Sequence, residues 1–84
     1  MELIYSPTAI KHLKRIGPAE KKKAKKKIQM ILSNPLVGKL LQGDHAGQRR
    51  VYAWPLRVIY IFDPKSQTIQ IVDADYRGGV YKKG

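Results

Sequence analysis

Hydrophobic and polar positions change rhythm several times along the chain. Glu2–Tyr5 is a short apolar-rich run that reads as a first strand. Ser6-Pro7 then marks a helix start: Ser6 suits the N-cap, and Pro7 suits the first helical position, where its missing N–H is no loss. Ala9, Ile10 and Leu13 supply a core-facing side, and Gly17 ends this helix. Pro18 opens a second helix, with Glu20 in the first turn near the positive end of the helix dipole. Ala24, Ile28, Ile31 and Leu32 recur at helical spacing as a narrow apolar stripe. Asn34-Pro35 stops it, because the residue before a proline is pushed out of the α region.

From Leu36 to Gly47 the pattern lapses into a loop, apolar at first and glycine-bearing later. The segment Gln48–Tyr60 then reads as two strands folded back at Ala53–Leu56. Alternation places Arg50, Tyr52 and Trp54 on one face of the first and Arg49, Val51 and Ala53 on the other. In the second strand Arg57, Ile59 and Ile61 share a face, opposite Val58, Tyr60 and Phe62. A turn at Asp63–Gln67 leads into a strand over Thr68–Ala74, and Tyr76–Lys83 is a basic, aromatic tail around Gly78-Gly79. The expected fold class is α+β. An N-terminal strand and an α-helical hairpin precede a three-stranded antiparallel sheet packed against the helices, in a single domain over residues 1–84. A chain of 84 residues buries roughly 60–65% of its unfolded surface, which leaves no room for a second core.

Charge changes this picture most. Seventeen Lys and Arg against six Asp and Glu give a net charge of +11, which attracts polyanions: nucleic acid or ribosome first, an acidic protein second, anionic lipid third. The absence of cysteine excludes disulfides, a thiolate nucleophile and a cysteine zinc site. The N-terminal residues lack the basic and apolar regions of a signal peptide, and Val58–Phe62 is far too short to span a bilayer. A soluble cytoplasmic protein with no membrane partner is the expectation.

Among residues able to carry chemistry, Arg50, Arg57 and Arg77 rank first. Each guanidinium is a planar fork that grips phosphate through two parallel hydrogen bonds, and the three either converge on one sheet face or merely add surface charge. Arg49, Tyr52, Trp54, Lys82 and Lys83 are the expected nucleic-acid contacts, cations set among rings on which bases stack. Tyr81 either stacks on a base, transfers a proton or pins the tail to the core. The run Lys21–Lys27 reads as a solvated helix face with phosphate attraction as a secondary role. His12 is expected exposed and His45 an ordinary loop histidine. Two histidines this far apart make a metal site improbable, and no cofactor is expected. Asp73 and Asp75, on one face of a strand, are expected to pair with arginines.

The order of these elements resembles the RelE/ParE superfamily of bacterial and archaeal toxins. The matching pieces are Ile4-Tyr5, Leu40-Leu41 with Gly43, Arg50-Val51-Tyr52, the strand Leu56-Arg57-Val58-Ile59-Tyr60, and Asp75-Tyr76-Arg77-Gly78-Gly79-Val80-Tyr81. The resemblance implies a type II toxin restrained by an acidic antitoxin. It implies a metal-independent endoribonuclease that cleaves mRNA on the ribosome, the RNA 2′-OH attacking its own phosphate. Carried over by position, Arg57 stabilises the phosphate, Arg50 contacts it, Arg77 assists and Tyr81 stacks or transfers a proton. The strand positions where RelE-like members carry basic residues, often lysine, are Arg50 and Tyr52 here, and Tyr76 stands at the terminal histidine position. The general base is therefore left to Tyr52, Tyr81 or His45. A ParE-like inhibitor of DNA gyrase without nuclease activity, and a degenerate toxin that only binds its antitoxin, are the alternatives.

Overall fold

The computed structural model describes residues 1–76. Its elements run β1 (Glu2–Tyr5), α1 (Pro7–Arg15), α2 (Pro18–Ser33), β2 (Lys39–Leu40), a 3₁₀ turn at Gly43–His45, β3 (Arg49–Ala53), β4 (Leu56–Asp63) and β5 (Thr68–Tyr76). The helices begin where the prolines predict. Ser6 caps α1 by accepting a hydrogen bond from the Ala9 amide at 3.0 Å. Its hydroxyl also donates to the Val72 carbonyl at 2.7 Å, so a local cap fastens the helix to a strand 66 residues away.

The sheet holds five strands in the order β1-β5-β4-β3-β2, two more than the three-stranded sheet expected from sequence. The extra strands are at the edges. β1 pairs parallel to the first half of β5, and β2 adds two residues to β3 inside the stretch expected as pure loop. A two-residue strand carries no alternation to detect, and only pairing with β3 defines it. Gly47, with φ +89°, turns the chain back into β3 in a conformation that side chains resist.

One sheet face is covered by both helices. Ala9, Ile28 and Ile31 pack there on Val51, Val58, Tyr60, Ile69, Ile71 and Ala74, while Ile16, Ala24, Ala53 and Leu56 form an adjoining cluster. Full burial of each large aliphatic side chain contributes about 1.5–3 kcal/mol. Ile10 departs from its expected place: it is 45% exposed, because the smaller Ala9 meets the sheet in its stead. Among the described residues no helix is long and apolar enough to cross a membrane.

Candidate functional site

The β3–β4 hairpin folds back through Trp54-Pro55 and pairs Arg50 with Ile59 and Tyr52 with Arg57. Since Val51, Ala53, Leu56, Val58 and Tyr60 are buried toward the helices, alternation sends Arg50, Tyr52, Arg57 and Ile59 to the opposite, open face. Arg50 and Arg57 thus share a face, while Arg77, the third arginine considered with them, lies outside the described residues. Arg50 and Arg57 sit on neighbouring strands and line a groove of about 320 Å³ together with Gln42, Gln48, Ile59 and Asp73.

The two arginines are sunk into this surface. The Nε atoms of both are buried and have no hydrogen-bond partner among the described residues. The Arg50 guanidinium lies over the Tyr52 ring, 4.7 Å from its centre, a cation–π contact beside the groove. Buried donors without partners cost about 1–3 kcal/mol each. A groove that keeps two such donors in a chain of net charge +11 suits an anion with several acceptor oxygens.

The other expected contacts are distributed unevenly. Arg49 points to the helix side, where its Nη1 donates to the Gly38 carbonyl at 2.9 Å, so it is remote from the Arg50–Arg57 face. Trp54 stands at the hairpin turn, 60% exposed, with its carbonyl accepting from Lys23 Nζ at 3.2 Å. Lys21, Lys22, Lys23, Lys25 and Lys26 are exposed on α2, as a solvated face requires. Arg77, Tyr81, Lys82 and Lys83 lie outside the described residues.

Two acidic residues behave differently from expectation. Among the described residues Asp73 and Asp75 pair with His12 and form no ion pair with an arginine: His12 Nδ1 lies 2.7 Å from Asp73 Oδ1 and 3.3 Å from Asp75 Oδ2. His12 is accordingly only 22% exposed, rather than free on α1. The cause is topological. β1 pairs with β5 only as far as Tyr5 opposite Ile71, and α1, which follows directly, packs on β5.

A β-bulge completes the arrangement. Ile59 pairs with Asp73 but Tyr60 pairs with Ile71, leaving Val72 as the extra residue. Strict alternation from the buried Ile69 and Ile71 would drive Asp73 and Asp75 into the core. The bulge reverses the phase, so that Ala74 is buried and Asp73 reaches the groove. Nothing local in the sequence marks His12 as their partner, because 61 residues separate it from Asp73.

These three side chains are also the group of metal-ligand type found among the described residues, with donor atoms within 4.8 Å of one another. The 2.7 Å separation of His12 Nδ1 and Asp73 Oδ1 is a direct hydrogen bond. Two ligands of one tetrahedral zinc ion stand ~3.3 Å apart.

The architecture is a mixed sheet backed by a helix hairpin, with Arg50 and Arg57 on the uncovered face of a small, strongly basic chain. Over residues 3–81 the chain matches the family model described as ParE toxin of type II toxin-antitoxin system, parDE. It belongs to that family, within the RelE/ParE toxin superfamily. A search of curated protein sequences returns no match. Among solved structures it is similar to the RelBE2 toxin–antitoxin complex from Mycobacterium tuberculosis, with TM-score 0.80 and 24% identity over 90% of this chain and 96% of that one. It is also similar to the YoeB/ParE toxin from Agrobacterium tumefaciens, with TM-score 0.82 and 17% identity over 93% and 100% of the two chains. The isolated E. coli RelE toxin gives TM-score 0.77 and 18% identity over 98% and 92%.

Proposed function

We propose that this toxin cleaves mRNA on the translating ribosome. The observation that carries the reading is the pairing of Arg50 and Arg57 on one groove, each with a buried Nε that has no partner among the described residues. Such a site suits the phosphate at which an RNA 2′-OH attacks. The P–O5′ bond then breaks to leave a 2′,3′-cyclic phosphate and a 5′-OH. Arg57 neutralises charge gathering on the non-bridging oxygens, and Arg50 holds the same phosphate from β3. DNA lacks the attacking hydroxyl and is not a substrate. Arg77 and Tyr81 belong to this proposal as an assisting cation and a base-stacking or proton-transferring ring.

Purified protein added to translating ribosomes should cut mRNA and spare the same RNA free in solution. Arg57→Ala should lower that cutting by ~10²–10³-fold. The partner proposed for the free toxin is an acidic antitoxin segment laid over its basic surface, in keeping with the toxin–antitoxin complexes among the similar structures. The name of the matched family favours a second reading, a ParE-like inhibitor of DNA gyrase. Intact mRNA beside blocked gyrase supercoiling would decide for it.

A further inference from the structure

The phosphate groove needs a proton acceptor, and neither arginine is suited to be one, since guanidinium does not give up its proton in proteins. Asp73 is the carboxylate that lines the groove with Arg50 and Arg57. We propose that Asp73 takes the proton from the attacking 2′-OH, with His12 as the positioning residue that holds the carboxylate from behind. This inference rests on the ribonuclease reading and assigns its base to Asp73 in place of Tyr52, Tyr81 or His45.

The geometry fits the task. The bulge at Val72 delivers Asp73 to the groove, so the position is specified by the backbone rather than by a mobile side chain. His12 Nδ1, 2.7 Å from Oδ1, fixes the orientation of the carboxylate and leaves Oδ2 for the substrate. The ionisable groups around Asp73 are His12 from α1, Asp75 on its own strand, Arg57 from β4 and Arg50 from β3. Asp75 is the second carboxylate on His12 and the cross-strand neighbour of Arg57. In the reaction the 2′-OH proton passes to Asp73 Oδ2 and O2′ forms its bond to phosphorus. The departing 5′-oxygen takes a proton from water, and Asp73 later returns its proton to solvent.

The test is mRNA cleavage on translating ribosomes from pH 6 to 9 by wild type, Asp73→Asn, Asp73→Ala, His12→Gln and His12→Ala, with melting curves for each. Asp73→Asn should lose about 10²- to 10⁴-fold in rate. Its residual activity should rise about tenfold per pH unit, because hydroxide then replaces the carboxylate. Asp73→Ala should regain part of its rate when formate is added, which no structural repair would produce. His12→Gln, which keeps a donor toward Asp73, should retain more activity than His12→Ala at equal melting temperature.

Wild-type rates in Asp73→Asn overturn the proposal. So does a loss that runs parallel to the wild-type pH profile and does not respond to formate, since the pair is then only a brace between α1 and β5. Binding of Mn²⁺ by the isolated wild-type protein that is lost in Asp73→Ala, together with cleavage that rises with Mn²⁺ at fixed Mg²⁺, overturns it in favour of a bound cation. Intact mRNA with the wild type in this assay removes the ribonuclease reading and the inference together. The wild-type reaction run alongside distinguishes that outcome from the others.

Discussion

The Tyr60 hydroxyl accepts a hydrogen bond from the Gly38 amide at 2.9 Å, and the two residues touch so closely that Gly38 has no room for a side chain. The same hydroxyl donates to the Pro35 carbonyl at 2.6 Å, so one buried ring ties the segment after α2 to the centre of the sheet. A Cβ on Gly38 would stand 2.7 Å from the Tyr60 oxygen and 2.8 Å from Cε1. Gly38→Ala should therefore destabilise the fold by about 1–3 kcal/mol, read as a lower urea midpoint at constant slope.

Tyr60→Phe removes both hydrogen bonds and leaves the Gly38 N–H and the Pro35 carbonyl seeking partners, at about 1–3 kcal/mol. Burial raises the Tyr60 pKa above 10.0, against the lowering influence of the Gly38 hydrogen bond and Arg49. The folded protein then holds this proton more tightly than the unfolded chain. The contribution is complete below pH 10.0 and is lost as pH rises through the higher folded value. Urea melts above pH 10 should show this loss in the wild type, and Tyr60→Phe should lack it.

Ser6 serves as N-cap to α1 and as donor to Val72 beside the bulge. Ser6→Ala should cost about 1–2 kcal/mol, a fall of roughly 4–16 °C in Tm for a domain of this size. Loosening this tie should also weaken the His12–Asp73 contact. His12 ring-proton chemical shifts that are unchanged in Ser6→Ala would show that cap and pair are independent.

Arg50 lies against the Tyr52 ring and reaches the groove with its planar fork, so charge alone should not replace it. Arg50→Ala should reduce mRNA cutting by ~10²-fold. Arg50→Lys should recover only part of that loss, with melting temperature unchanged. Equal activity of the lysine variant and wild type would mean that net charge, not the guanidinium geometry, is what the groove supplies.

The exposed lysines of α2 should act on encounter rather than on stability. Replacing Lys21, Lys22 and Lys25 by Gln should slow association with an acidic antitoxin segment and flatten its salt dependence. The melting curve should stay within about 0.5 kcal/mol of wild type. Association that does not weaken from low to physiological salt would place the recognition in apolar contact.

The helices, their proline starts, the hairpin and the split of Arg50 and Arg57 from Val51 and Val58 were legible in the sequence, because each depends on neighbours a few residues apart. Glu2–Tyr5 was legible as a strand, but its place at the sheet edge and the whole of β2 were not. β1 is defined by a parallel partner 66 residues away, and β2 is too short to show a period. The groove's acidic corner was hidden for a related reason. A single extra residue at Val72 inverts the facing of Asp73, and His12 meets it only because α1 packs on β5. Alternation and capping are properties of the local chain, whereas a bulge and a contact across 61 residues exist only once the strands have chosen their register.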